Sequence, residues 1–486
     1  MSPIQKENIV LFPFMAQGHI IPFLSLGLKL EQEKGYSITF VNTPLNINKL
    51  QNHLPKTSNI RLLEIPFDST EHGLPPNSEN TETLPLPLML QLIESSPALK
   101  PVFRQLMSCL YVQGNAEKRP LCVISDMFFA WSADVAHEFG IPHAIFNAGG
   151  GYGMAGLHTS WLNLPQLKSN SGEFWLPGFP KGYRFKTKNL PEHLQAVKGP
   201  WEFALDMFED WKKTDAMLFN TIEDVDGTGL TYFREQFPCS VYAVGPIISS
   251  AGSKARGGEE SEVARNLCIK WLNSKPKNSV LYVAFGSQSS PSEAQTIELA
   301  KALEASNVNF LWVVRPPSNS LGNNTNTNWF PIGFEERIAS SKNGLLLKKW
   351  APQMEILSHD SIGAFLSHCG WNSIIEGLSN GVAMLSWPMG AEQPFNAQLL
   401  EDEMRVCVGV ANGVSCEVKY EEIVKNIELM MRSEEGNVMR RKAVKVMEII
   451  KNATNDEGSS VKAMDDFLNM ILLRKKLYPA VQYSNV

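Results

Sequence analysis

The sequence predicts an α/β protein of two domains, each a parallel sheet covered by helices. Three observations carry that expectation. Short apolar runs alternate with helix-length stretches along the whole chain, the pattern left when buried parallel strands are joined by helical crossovers. At 486 residues and 43% hydrophobic content, the chain has more to bury than one core usually holds. Near the middle, residues 248–262 include Ser-Ser-Ala-Gly-Ser-Lys-Ala-Arg-Gly-Gly-Glu-Glu, a small and charged composition that predicts a flexible linker.

The expected first domain, 1–247, has strand candidates at 9–14, 37–42, 60–67, 121–126, 143–147 and 216–220, each a short run rich in Val, Ile, Leu and Phe. The second, 263–460, has them at 279–285, 309–314, 344–348, 363–367 and 383–386. Residues 318–328 are Asn-rich and predict an exposed, mobile loop. A final helix over 461–476 carries Phe467, Met470 and Leu473 on one face, so that face is expected to pack on something.

Composition excludes several partners. The net charge of -6 is mild and no Lys/Arg cluster is interleaved with aromatics, which argues against nucleic acid and against an anionic membrane surface. No apolar run near the start approaches the roughly 20 residues of a membrane span, and no basic leader precedes one, so the mature chain is expected to begin at or near Met1. Seven scattered cysteines without a Cys-x-x-Cys pair point to reduced thiols and a cytoplasmic location. A small neutral ligand fits better than a macromolecule.

The chemistry concentrates between 350 and 393. Trp350-Ala351-Pro352-Gln353 follows a strand, and the turn imposed by Pro352 predicts an exposed indole, a stacking platform for a base. His368-Cys369-Gly370-Trp371-Asn372-Ser373 follows another strand and opens a helix with Ile374 and Leu378 on one side and His368, Asn372 and Glu376 on the other. The free N–H groups and positive end of such a helix attract an anion; Gly370 admits a phosphate, and Asn372 and Ser373 can donate. Glu376, one turn on, is spaced to accept ribose hydroxyls, and Glu392-Gln393 offers a polar pair for a sugar. Singly, a Trp is usually core and Gly-Trp-Asn-Ser usually a helix cap. Together at these spacings they predict a nucleotide-sugar site.

Those residues resemble the signature box of the plant secondary-product UDP-glycosyltransferases, glycosyltransferase family 1. The resemblance extends to Ser279-Val280-Leu281-Tyr282-Val283-Ala284-Phe285-Gly286-Ser287 and to the first half, so it covers the whole chain. It implies a GT-B fold: two Rossmann-like domains facing a central cleft, the second binding the donor and the first the acceptor, with 461–486 packing back on the first. It also implies that Trp350 stacks on uracil beside Ala351 and Gln353, and that Glu376 holds the ribose. His368, Asn372, Ser373 and Ser287 would contact the diphosphate, whose charge would be met by the helix end and His368. Trp371, Glu392 and Gln393 would hold sugar hydroxyls. Gln393 at the end of the box implies UDP-glucose. Two departures stand out: Ala383 where the family commonly has Pro, and Gly390 where a larger residue is usual, which would widen the space beside the sugar.

Attack by an acceptor hydroxyl needs a base, and His19 is the candidate. It follows the first strand in Gln17-Gly18-His19-Ile20-Ile21-Pro22, where the carboxyl end of a parallel sheet would present it, and an imidazole titrates near working pH. Asp126 ends another strand and can hold the imidazolium. The plainer alternatives are a packed histidine and a helix cap; the family resemblance favours the catalytic pair. The family also has a polar group near 147–148 that touches the sugar; Ala148 cannot donate, which leaves Asn147. The implied reaction is single displacement with inversion, giving a β-glucoside. No metal and no cofactor beyond the UDP-sugar co-substrate is expected, and the chain is expected to be a monomer.

Gly151-Tyr152-Gly153-Met154-Ala155-Gly156 is a literal dinucleotide-type glycine motif and raises an oxidoreductase alternative. It follows a late strand instead of the first, so it fits better as an acceptor-pocket wall where glycines admit a bulky planar ligand. A non-catalytic sensor that binds a nucleotide sugar or a small molecule is the other alternative, disfavoured by the presence of both His19 and Asp126. The acceptor loops are expected at 68–86, 128–131, 149–161 and 185–201, with Phe128, Asn147 and Gly149 among the contacts. Their aromatic content points to a flavonoid, another phenolic or a terpenoid alcohol.

Overall fold

The computed structural model describes residues 7–51, 54–112, 119–164, 172–179, 184–186, 190, 194, 202–248, 258–288, 290–315, 329–348 and 351–478. Trp350, the 318–328 insert and most of the expected linker lie outside them. The helix Gly258–Leu272 starts inside the segment expected to be linker.

The chain forms two compact units: Met1–Gly151 with Pro200–Ala255 and Ala453–Val486, and Tyr152–Gly199 with Arg256–Asn452. The expected first domain ran unbroken over 1–247; the contacts instead group 152–199 with the second unit.

The first unit holds a seven-stranded sheet, ordered β3-β2-β1-β4-β5-β8-β9. Its strands are β1 (Asn8–Phe12), β2 (Ser37–Asn42), β3 (Arg61–Glu64), β4 (Cys122–Asp126), β5 (His143–Asn147), β8 (Ala216–Phe219) and β9 (Ser240–Ala243). Every pairing is parallel. In the second unit, β6 (Glu173–Trp175) and β7 (Arg184–Lys186) form an antiparallel hairpin. Its main sheet, ordered β12-β11-β10-β13-β14-β15, comprises β10 (Val280–Ala284), β11 (Asn309–Val313), β12 (Gly344–Leu347), β13 (Ile362–Ser367), β14 (Met384–Ser386) and β15 (Cys407–Gly409), again all parallel. β1, β4, β5, β10 and β13 are buried almost throughout, as parallel strands covered on both faces must be. The α/β class is as expected, with strand ends moved by up to three residues. β9, β15 and the hairpin were not expected from sequence; each is only three or four residues long and lacks a sustained apolar run.

Each main sheet reverses its winding once, between β1 and β4 in the first and between β10 and β13 in the second. At such a point two neighbouring crossovers leave in opposite directions and open a crevice beyond the carboxyl ends of the strands. The loops after these four strands are therefore where each unit can hold a ligand.

The last helix, Ser459–Leu477, belongs to the first unit. Met464, Phe467, Leu468 and Ile471 are buried in one cluster with Ile9, Leu11, Phe23 and Leu28. The expected packing face is corrected at one position: Leu473 is 62% exposed, because the buried stripe continues through Ile471 instead. Polar contacts hold the helix end. Arg119 Nη2 donates to the carbonyls of Lys475 and Tyr478 at 2.6 and 2.8 Å, and Lys475 Nζ donates to Glu7 Oε2 at 2.6 Å.

All seven cysteines are free thiols. Among the described residues, no helix is long and apolar enough to cross a membrane.

Candidate active site

In the first unit, β1 ends at Phe12 and the helix Gln17–Gln32 begins five residues later, placing His19 in its first turn. Neighbouring β4 ends at Asp126, with Phe12 paired to Ser125. His19 Nδ1 and Asp126 Oδ2 are 2.7 Å apart, with the imidazole 25% exposed and the carboxylate 1%. A carboxylate only accepts, so Nδ1 carries the proton and the ring's lone pair lies at Nε2. The other oxygen, Oδ1, accepts the Phe128 N–H at 3.1 Å and caps the short 3-10 turn Met127–Phe129. Asp126 is thus both a cap and an orienting group, two roles that sequence reading posed as alternatives. Phe14 and Phe128 flank the imidazole, with ring centroids 5.7 and 5.6 Å from it. Beside Gly18 a Cβ would meet nothing within 4 Å, so the backbone here faces open space.

Asn147 ends β5, one residue past the Asp126–Phe146 pair. Its side chain is buried, and neither Oδ1 nor Nδ2 has a hydrogen-bond partner among the described residues. An unpaired buried amide costs about 1–3 kcal/mol per group, a cost that a ligand hydroxyl can offset. Ala148 is buried and Gly149 half-buried just beyond it. Of the expected wall at 128–131, only Phe128 faces the dyad; Phe129 and Trp131 sit in the core with Phe12 and Phe103.

In the second unit, β10 runs into Phe285, Gly286 and Ser287, and β13 into His368, Cys369 and Gly370, with Ala284 paired to Ser367. The His368 ring lies between two glycines. A Cβ on Gly286 would fall 2.7 Å from Nε2 and one on Gly370 2.5 Å from it. The space beside Gly370 on its Cβ side is thus occupied by the imidazole. Gly286 also has φ +74°, and Cys369 has φ +60°, which turns the chain into the helix Trp371–Ser379. No side chain caps that helix at Gly370, and its positive end lies at the turn after β13.

Burial, with a smaller contribution from the Arg315 charge, pushes His368 down to about 4. The ring is therefore neutral near pH 7. The expectation that it meets the diphosphate charge is corrected: a neutral imidazole offers a hydrogen bond, and its Nδ1 is buried without a partner among the described residues. A cation beside His368 is Arg315, two residues past β11, whose Nη1 donates to the Ser287 carbonyl at 2.9 Å. Sequence reading missed it; the available signal was a lone Arg just past the carboxyl end of an apolar run.

Ile374 and Leu378 are fully buried while Asn372 and Glu376 are partly exposed, as the expected stripe requires. Ala351 and Ser373 are buried. Gln353 organises the polar side: Tyr282 Oη donates to its Oε1 at 3.1 Å, and its Nε2 donates to Ser373 Oγ at 3.1 Å and Glu376 Oε2 at 2.6 Å. Trp371 is buried, so its indole belongs to the core of this unit. Gln393 Oε1 accepts the N–H groups of Met389 and Gly390 at 2.8 and 3.1 Å, which turns its role toward donation from Nε2. Beside Gly390 a Cβ would meet nothing within 4 Å, in line with the wider space expected there.

Helix packing accounts for two of the three glycines of the motif. It lies in the helix Gly151–Leu162, where a Cβ on Gly153 would fall 1.9 Å from Asn396 Oδ1 and one on Gly156 2.5 Å from the Phe395 ring. These glycines permit helix contact with Gln393–Gln398, and neither a dinucleotide nor a planar acceptor is needed to account for them.

Two doubly wound parallel sheets, one with a His–Asp pair and the other with a glycine-opened helix at its switch point, define a nucleotide-sugar-dependent glycosyltransferase of the GT-B fold. Comparison with known proteins agrees. Residues 236–446 match the family described as UDP-glucoronosyl and UDP-glucosyl transferase. The chain is 41% identical over 494 residues to UDP-glycosyltransferase 92A1 of Arabidopsis thaliana, with 98% of this chain and 99% of that protein covered. It is 38% identical over 443 residues to crocetin glucosyltransferase 3 of Crocus sativus, covering 89% and 92%. The solved structure of Medicago truncatula UGT71G1 complexed with UDP-glucose matches with a TM-score of 0.80 at 26% identity, covering 97% and 100%. The chain belongs to the plant UDP-glycosyltransferase family.

Proposed function

We propose that this enzyme transfers glucose from UDP-glucose to a hydroxyl of a small hydrophobic plant metabolite, phenolic or terpenoid, with inversion and without a metal ion. The observation that carries the catalytic part is the 2.7 Å contact between His19 Nδ1 and the buried Asp126 carboxylate. It leaves Nε2 as the basic nitrogen, with a carboxylate behind the ring to stabilise the imidazolium once formed. The acceptor O–H gives its proton to Nε2, its oxygen attacks the anomeric carbon, and the bond to the diphosphate oxygen breaks as UDP departs. One displacement inverts the anomeric centre.

The residues around the second switch point support the donor reading. The helix end at Gly370, His368 as a neutral donor and Arg315 as the cation offset the negative charge that grows on the diphosphate. Glu376, already accepting from Gln353, retains acceptor capacity for ribose hydroxyls. Gln393 and Glu392 supply a donor and an acceptor for the hexose. Glucose is favoured by Gln393, by the naming of crocetin glucosyltransferase 3 and by the UDP-glucose bound to UGT71G1. Acceptor hydrophobicity is supported by the Phe14 and Phe128 rings around His19.

The test is a panel of phenolic and terpenoid alcohols incubated with UDP-glucose, followed by mass spectrometry and by proton NMR of the anomeric coupling. A hexose adduct with β configuration, formed equally with and without a chelator, is expected. UDP-glucose binding without turnover on any acceptor would favour a sensor; an α-linked product would exclude single displacement.

A further inference from the structure

Asn396, in the helix Gln393–Gln398, is completely buried. Its Nδ2 donates to the Cys369 carbonyl at 3.0 Å and to Glu392 Oε1 at 3.3 Å. Both of its N–H bonds are thus directed at the site, one into the turn that opens the helix Trp371–Ser379 and the other onto a side chain read as a sugar acceptor. The Cys369 carbonyl and the Gly370 N–H share one rigid peptide plane and point opposite ways, so holding the carbonyl also fixes that N–H. Cys369 has a positive φ, a conformation that a non-glycine residue keeps only when its surroundings hold it.

The orientation of the amide is determined. Turned over, its oxygen would face two acceptors. As it stands, Oδ1 has no hydrogen-bond partner among the described residues and abuts Gly153, where a Cβ would come within 1.9 Å. Gly153 therefore makes room for the Asn396 amide. The middle glycine of the motif that suggested a cofactor serves this contact, and Gly153, Cys369, Glu392 and Asn396 all lie in the second unit.

We propose that Asn396 is a positioning residue for glycosyl transfer, setting the Glu392 carboxylate and the Cys369–Gly370 peptide from one buried amide, with Gly153 kept small to accommodate it. This rests on the reading of Glu392 as a contact to the transferred sugar. Asn396 touches no substrate itself; its effect passes through groups that do.

The experiment is a double-mutant cycle on the full-length enzyme, with UDP-glucose as donor and an acceptor found in the panel, using Asn396→Ala, Glu392→Ala and the pair. Thermal unfolding of each is recorded alongside. Asn396→Ala is expected to unfold cooperatively and to lose about tenfold or more in kcat/KM for UDP-glucose, with the acceptor KM within about threefold of wild type. In the Glu392→Ala background the same change is expected to cost less than about threefold, because its main route of action is already gone. Losses that multiply, or an Asn396→Ala enzyme with wild-type kinetics, would overturn the proposal. So would a deficit recovered by lowering the temperature, which would mark a purely structural role. If Asn396→Ala does not fold, Asn396→Asp carries the same cycle at nearly unchanged size. A fully active Glu392→Ala would sink this proposal while leaving the glycosyltransferase reading intact. A wild-type enzyme that consumes no UDP-glucose would sink both.

Discussion

His19 and Asp126, 107 positions apart in the chain, meet at 2.7 Å because β1 and β4 are neighbours at the point where the first sheet reverses its winding. The second Asp126 oxygen is tied to the Phe128 N–H, so the carboxylate cannot swing away from the ring without uncapping its own turn.

Removing the base tests that pair directly. His19→Ala is expected to lower turnover by at least ~10² while UDP still binds, since a general base contributes on that scale and the residues proposed to hold UDP are in the other unit. Initial rates and calorimetry with UDP check both halves. Unchanged turnover would take His19 out of the mechanism.

Asp126→Asn keeps a cap for Phe128 but turns a carboxylate that only accepts into an amide that can present N–H to Nδ1, which disturbs the tautomer. The folded variant is expected to lose activity by less than His19→Ala does. In a His19→Ala background it is expected to cost almost nothing further, because it acts through the ring. Wild-type kinetics for Asp126→Asn would leave Asp126 as a cap alone.

Nucleotide and sugar contacts are separable by ligand. Glu376→Ala removes the proposed ribose acceptor and one of the two acceptors of Gln353 Nε2, so affinity for UDP and UDP-glucose should fall together by an amount matching ~1.5 to 3 kcal/mol. Gln393→Ala is expected to weaken UDP-glucose while leaving inhibition by free UDP almost intact. Calorimetric titration of both variants with both ligands decides it; identical losses in the two variants would break the assignment.

Arg315→Ala removes the cation beside His368. UDP affinity is expected to fall about threefold to tenfold at low ionic strength, and the gap to wild type should narrow as salt screens it. Equal affinities at low salt would return Arg315 to a bond with the Ser287 carbonyl and nothing more.

Acid sensitivity has a named source in the first unit. His143 is buried, with Nε2 at 3.0 Å from both Ser125 Oγ and Ser132 Oγ, and Nδ1 at 3.0 Å from Thr214 Oγ1. Burial, reinforced by His137, pushes it down from 6.5 to about 3. Below pH 6.5 the unfolded chain takes up a proton that the folded one refuses. Stability from this site is therefore complete above 6.5 and is lost as the pH falls toward 3, by roughly 2 kcal/mol at pH 5. Denaturant unfolding of wild type and His143→Gln at pH 7.5 and 5 should show a smaller pH effect in the variant. Equal slopes would place the sensitivity elsewhere.

Local sequence determined what depends on local chemistry. The apolar runs of β1, β4, β10 and β13 specify buried parallel strands because a run without polar positions has no side to turn toward water. The string from His368 to Glu376 specifies a helix with one buried and one polar face because its spacing is helical, and the side-chain chemistry of His19 and Asp126 made them candidates before any neighbour was known. Pairing was decided only in three dimensions. That His368 fills the space of Gly286 and Gly370, that Arg315 reaches the Ser287 carbonyl, and that Gly153 yields to Asn396 all depend on strand order and helix contact between distant segments. No periodicity within a segment records which distant residue will lie against it. For the same reason the packing of His368 against Gly370 and of Asn396 against Gly153 was not legible in the sequence, and Leu473 was expected to be buried. A glycine in sequence announces room, and tertiary packing determines what fills it.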